Sequence, residues 1–163
     1  MGDLWAQSTP QQIIERILMV VQASAGATYL MLTKNPRRYL ELAHMMPRNV
    51  VLGATIETDR YPETSEPISL APQPTLRCLD MDTLRDRLPH IPRMVCIEPV
   101  IDFDLDRFAG LIFRIKPIYV YIGYDNHGHK LPEPPLEKTQ KLIDILKGFT
   151  QVRTKTLRNT WND

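Results

Sequence analysis

Five short apolar runs, each ending at or next to a polar residue, recur along the chain with helix-like stretches between most of them. Continuous apolar runs of this length, rich in β-branched residues, are typical of buried parallel strands in an α/β fold. Ligands bind at the carboxyl ends of the strands in such folds, so the pattern predicts a site where the runs end. The runs are Tyr29–Lys34, Val50–Glu57, Met94–Glu98, Ile118–Gly123 and Val152–Lys155.

The segments between the runs predict helices. Thr9 can cap the first helix, Pro10 suits its first position and Gln12 can complete a capping box. Its apolar face would contain Ile13, Ile14, Ile17, Leu18 and Val21. The further helices are predicted after Pro36 and over Met81–Leu88, Phe103–Ile115 and Pro135–Leu146.

Residues 60–74 contain several prolines and no usable period, which predicts a long loop directly after a strand. Loops of this length inside a compact domain are often lids or binding segments, and a surface excursion is the open alternative.

The order of elements predicts an α/β fold with a mainly parallel sheet and alternating helices. Right-handed crossovers place every helix on one side if the sheet curls, as in a partial TIM-like barrel, or on both sides if it stays flat. A length of 163 residues predicts one domain over residues 1–163.

The composition argues against several classes of partner and site. With 20 basic and 19 acidic residues, and no strip of aromatic and basic residues, the chain has no electrostatic footprint for nucleic acid. The two cysteines have no spacing typical of a disulfide framework or a zinc site. No leader or membrane-spanning run is evident, which predicts a cytoplasmic protein without membrane contact.

Glu57 and Glu98 end neighbouring runs, where paired carboxylates can serve as catalytic acid and base or hold a ribose or a cation. Lys34 can point a cation at a phosphate or carboxylate. The alternative for all three is structural, because carboxylates at strand ends also accept loop amides or pair with lysines.

His127, Gly128 and His129 suggest metal ligation only weakly, since two histidines need further ligands, and an exposed turn explains them as well. Asp125 could contact a ribose or form a turn. We therefore assign no metal site.

Five segments follow one another along the chain in a fixed order: Gly2–Trp5, Leu30–Pro36, Pro47–Glu57, Ile97–Val100 and Tyr121–Gly123. In this order they resemble a phage and prokaryotic radical-SAM-like family of unknown function, over most of the chain. Members carry Leu-Thr-Lys-x-Pro, Asn-Val-Trp-Leu-Gly-x-x-x-Glu, Cys-Glu-Pro-Leu and Val-x-x-Gly-Gly-Glu in that order. The resemblance implies that S-adenosylmethionine or a nucleotide-like ligand binds at the strand ends, with Lys34, Glu98, Gly123 and Asp125 as cofactor-binding residues.

The departures from the family pattern matter equally. Members place a cysteine cluster for an iron-sulfur centre ahead of the region where this chain begins, and Gly2–Trp5 resembles a loop after a strand. Ile97 replaces the cysteine of Cys-Glu-Pro, Tyr124 replaces a glycine and Asp125 replaces a glutamate. An iron-sulfur cluster needs thiolate ligands, so it would have to come from a partner.

We therefore expect one of two partners: a separate cysteine-containing polypeptide, or a second copy of the chain in a homodimer. In either case the partner would cover the open edge of the Tyr29 run. The competing functions are a degenerate scaffold that acts by protein interaction and a cofactor-free hydrolase or lyase that uses Glu57 and Glu98.

Overall fold

The sheet contains five strands, and each of them forms from one of the five apolar runs. The structure is a computed structural model that describes residues 2–24, 26–60 and 69–161. The strands are β1 (Tyr29–Thr33), β2 (Val50–Thr55), β3 (Arg93–Ile97), β4 (Tyr119–Ile122) and β5 (Gln151–Thr154).

All four strand pairings are parallel, and the spatial order β1-β2-β3-β4-β5 is the order of the chain. The predicted α/β class, with a parallel sheet and alternating helices, is confirmed. The partial TIM-like barrel stays a prediction.

Five α-helices alternate with these strands in the described part of the chain, and a short 3-10 helix, Ala43–Met45, follows the second of them. None of the described helices is long and apolar enough to cross a bilayer. The α-helices are α1 (Gln11–Ala23), α2 (Arg37–Glu41), α3 (Pro74–Arg87), α4 (Leu105–Ile115) and α5 (Leu136–Lys147).

Two details of the helix prediction are wrong. Pro10 is the residue that precedes α1 and no side chain caps the helix; the Thr9 hydroxyl instead donates to the Asp3 carbonyl at 3.4 Å. On the predicted apolar face, Ile13 and Ile17 are exposed, because only one narrow stripe of α1 meets the sheet. The residues of that stripe are Ile14, Leu18 and Val21.

The loop predicted for residues 60–74 is shorter than expected at its end, because α3 already begins at Pro74. Proline is compatible with the first turn of a helix, where its missing N–H would have no intrahelical partner. Residues 61–68 of the predicted loop lie outside the described residues.

The two faces of the sheet differ in what packs against them. Side chains from every α-helix join alternate strand residues such as Leu52, Val95 and Val120 in one large core on the first face. The opposite face carries a smaller cluster made only of strand residues. We call it the helix-free face; it contains Val51, Met94 and Cys96, with Tyr119 and Tyr121 packed against them.

Candidate functional site

The strand register brings the predicted site residues to one end of the helix-free face. Thr55 pairs with Cys96, and the Ile56 amide donates to the Cys96 carbonyl at 2.8 Å, which extends the ladder past the end of β2. The next residues pointing to this face are Glu57 and Glu98, because side chains alternate between the faces of a strand. The two carboxylates therefore follow neighbouring strands at the same edge, as the sequence predicts.

Glu57 is buried between two cations. Its Oε1 lies 2.5 Å from Lys34 Nζ, and its Oε2 accepts a hydrogen bond from Arg77 Nη1 at 2.7 Å. Arg77 is buried, whereas the Lys34 side chain is 39% exposed. Lys34 and Glu57 thus meet, and Lys34 is the member of the cluster that solvent or a ligand can reach.

Arg77 is the most informative residue that sequence reasoning missed. Its Nη1 also donates to the Thr55 carbonyl at 2.8 Å, and its Nε donates to the Pro72 carbonyl at 2.6 Å. Arg77 lies in the first turn of α3, which the sequence prediction begins only at Met81. The usable signal was Pro74, because proline at the start of a helix would have extended α3 over Arg77.

Asp3, near the start of the chain, sets the orientation of Lys34. Asp3 Oδ2 accepts hydrogen bonds from the Thr33 hydroxyl at 2.6 Å and from the Lys34 amide at 3.0 Å. Asp3 Oδ1 accepts the Trp5 amide at 2.9 Å. This carboxylate fixes the backbone where β1 ends, so it sets the direction in which Lys34 leaves the strand.

Glu98 forms a second ion pair on the other side of the site. Its Oε2 lies 2.5 Å from Lys155 Nζ, and this hydrogen bond raises the pKa of Lys155. Glu98 is followed by a cis peptide bond to Pro99. The Lys155 side chain is 48% exposed. This pair is therefore more accessible than the cluster around Glu57.

Gly123 keeps the space beside this second pair open. A Cβ at this position would lie 3.1 Å from Lys155 Cβ and 3.5 Å from Glu98 Oε1. A side chain here would therefore crowd Lys155 and touch Glu98. The structure brings Gly123 together with Glu98, as the predicted cofactor-binding set requires.

Asp125 is buried, and its carboxylate binds backbone amides of its own loop. Its carboxylate accepts hydrogen bonds from the His127 amide at 3.0 Å and the His129 amide at 2.6 Å, and contacts the His129 ring. Burial raises the pKa of Asp125, but these hydrogen bonds outweigh it and lower the pKa to about 2. The geometry is that of a turn, and ligand binding by Asp125 stays a prediction.

The cysteines do not suit an iron-sulfur cluster. Cys78 lies in the large core and Cys96 on the helix-free face, so the sheet separates them. Burial raises the pKa of the Cys78 thiol to about 12 and that of the Cys96 thiol to about 11, which disfavours the thiolates that iron requires. Among the described residues, no group of three or more His, Cys, Asp and Glu side chains could hold a metal ion.

A protein-family model matches the first part of the chain. Residues 1–102 match a family described as "Protein of unknown function (DUF5131)". The matched range contains Lys34, Glu57, Arg77 and Glu98, and ends before Gly123 and Lys155. No curated protein matches the chain.

Proposed function

The chain belongs to the DUF5131 family of proteins of unknown function, and we propose that it binds a small ligand that carries both an ammonium and a carboxylate group. S-adenosylmethionine, which the motif resemblance implies, is a member of this chemical class. The proposal rests on one observation: two lysine–carboxylate pairs, Lys34–Glu57 and Lys155–Glu98, stand at the carboxyl ends of the strands, the first joining β1 to β2 and the second joining β3 to β5.

Such pairs can exchange partners with a zwitterion. A ligand ammonium can take the place of Lys155 at Glu98, while the ligand carboxylate accepts hydrogen bonds from the displaced lysine or from Lys34. Ion pairs between exposed side chains contribute only about 0–1 kcal/mol, so opening one of them costs little. Charge-assisted hydrogen bonds to the ligand can offset this cost.

The geometry favours Glu98 over Glu57 as the ligand's main contact. Both oxygens of Glu57 already contact cations, and one of these, Arg77, is buried and cannot move away without leaving carbonyl oxygens unpaired. Glu98 has one cation, on an accessible side chain. The same arrangement argues against proton transfer by Glu57, so it supports binding better than a hydrolase or lyase that uses the glutamate pair.

The test compares two adenosine derivatives that differ in the charged groups. S-adenosylhomocysteine carries the ammonium and the carboxylate, and 5′-methylthioadenosine lacks both. In isothermal titration calorimetry with the full chain, we expect S-adenosylhomocysteine to bind about tenfold more tightly or better, which corresponds to about 1.4 kcal/mol.

Glu98→Gln should abolish most of this difference, because it removes the charge that the ammonium needs. The matched control is Asp144→Asn, which neutralises the exposed pair between Asp144 and Lys147, 3.3 Å apart in the last turn of α5 and thus at the end of that helix away from the loop that follows β4. Equal affinity of the wild-type chain for the two compounds, or no binding of either, would show that the proposal is wrong and leave the scaffold alternative.

A further inference from the structure

The helix-free face presents an aromatic surface next to the proposed site. Tyr119 and Tyr121 project from β4 to this face, with ring centroids 5.5 Å apart and an interplanar angle of 80°. Both rings are half-buried and pack against the apolar floor formed by Met94 and Cys96. Parallel sheets are normally covered on both faces, so two aromatic rings that are only half-buried in this position suggest a ligand surface.

Arg153 lies over both rings. It belongs to the neighbouring strand β5, where it pairs in register with Tyr121. Its guanidinium carbon is 4.7 Å from the centroid of Tyr119 and 5.6 Å from that of Tyr121, and Nη1 donates to the Tyr121 hydroxyl at 3.0 Å. Cations are attracted to the faces of aromatic rings in this way, which holds the planar, positively charged guanidinium in place beside Tyr119 and Tyr121.

No carboxylate among the residues that the structure describes forms an ion pair with Arg153, although the side chain is exposed. The guanidinium therefore keeps hydrogen-bond donors that can face an acceptor on a ligand.

This surface is continuous with the second ion pair. Lys155 lies two residues after Arg153, directly beyond the end of β5, and contacts Glu98 at 2.5 Å, while its Nζ lies 5.5 Å from the centroid of Tyr121. A planar group resting on Tyr121 would have its charged substituents within reach of Glu98 and Lys155. One ligand with a flat ring at one end and a zwitterion at the other fits both surfaces.

We propose that Tyr121 and Arg153 form a stacking site for the purine base of such a ligand, an amino acid joined to a nucleoside. The identity of the ligand rests on the proposed function, whereas the position of its base rests on the geometry of Tyr121 and Arg153. Stacking on an aromatic side chain holds a base, and the Arg153 guanidinium supplies donors to the ring nitrogens. The two parts of the ligand thus bind to different residues and can be separated by experiment.

The experiment uses 5′-methylthioadenosine, which carries the base without the zwitterion, in calorimetric titrations of the full chain. Tyr121→Leu should weaken its binding about tenfold or more, because base stacking is lost. Tyr121→Phe keeps the ring and should retain most of the affinity. Phe113→Leu is the matched control, since Phe113 is an exposed aromatic residue, 53% accessible, on α4. Thermal unfolding of each variant checks that the chain is folded.

The outcomes separate the two proposals. If S-adenosylhomocysteine binds and depends on Glu98, but Tyr121→Leu changes neither compound's affinity, the stacking site is wrong and the zwitterion site stands. If 5′-methylthioadenosine binding depends on Tyr121, but Glu98→Gln leaves S-adenosylhomocysteine unaffected, the stacking site stands and the zwitterion site is wrong. If neither compound binds the wild-type chain, both are wrong.

Discussion

Arg77 is a buried charged residue on which the Glu57 carboxylate depends. It contacts Glu57, the Thr55 carbonyl and the Pro72 carbonyl at once, so it joins the end of β2 to the segment that enters α3. A buried carboxylate next to a single, half-exposed lysine would be incompletely compensated. Arg77 therefore acts as a positioning residue that holds Glu57 in place.

Removal of this guanidinium should be costly. Arg77→Met leaves Glu57 buried with Lys34 alone, so we expect the free energy of unfolding to fall by about 3–5 kcal/mol in urea titrations. The double variant Arg77→Met with Glu57→Gln should recover part of the loss, because the uncompensated charge disappears. Lys141→Met is the control, since it breaks an exposed pair worth about 0–1 kcal/mol. A loss no larger than that of the control would contradict the role of Arg77.

The residues of the site were predictable where they end a strand. Lys34, Glu57 and Glu98 follow directly from the rule that polar residues at the carboxyl ends of parallel strands share one edge. Arg77 was not predictable in this way, because it reaches the site from a helix and its contacts are set by tertiary packing. Asp125 shows that the same rule can also mislead. It lies just beyond a strand end, but its carboxylate accepts hydrogen bonds from backbone amides of its own loop.

The positions of the strands were more predictable from the sequence than the buried faces and exact ends of the helices. All five strands coincide with apolar runs; the signal is continuous because β2 and β3 are buried along their whole length and the other strands carry apolar residues on both faces. The burial of α1 was overestimated, because apolar residues at helical spacing indicate a possible core face without showing how wide the contact is. The beginning of α3 was missed, because clustered prolines indicate a loop until their position within a first helical turn is considered.

At the scale of elements, the packing of β1, β2 and β3 depends on a missing side chain at Gly53. A Cβ there would lie 2.6 Å from Met94 Sδ and 3.1 Å from Leu32 Cδ1. Gly53→Val should therefore reduce stability by about 1–3 kcal/mol through overpacking, measured by urea unfolding. Met94→Ala in the same chain should reduce this penalty, because it vacates the space.

The control for the glycine substitution lies in α4. A Cβ at Gly110 would meet nothing within 4 Å, so Gly110→Ala should raise stability by about 0.4–1 kcal/mol through the smaller entropy of the unfolded chain. If Gly53→Val proves as harmless as Gly110→Ala, the close packing of Met94 and Leu32 over Gly53 is wrong.

On the scale of the whole molecule, the fold is one-sided. Each helix packs into the core on one face, so the other face and the two outer strands, β1 and β5, have no further layer or strand among the described residues. Leu30 and Leu32 on β1 are 50% and 41% exposed on that face. An edge strand with exposed leucines is a template for pairing with another chain.

We therefore expect the partner predicted from the sequence to cover β1, and a second copy of the chain is the simplest candidate. Sedimentation velocity at increasing protein concentration should show a dimer, and Leu30→Lys with Leu32→Lys should shift it to the monomer, because two buried lysines would be unpaired at the contact. Ile145→Lys, on an α5 residue that is 40% exposed, is the control and should leave the dimer intact. A chain that stays monomeric at every concentration would exclude the homodimer. The cysteine-containing polypeptide would then be the remaining partner, and co-purification without oxygen together with iron analysis would test for it directly.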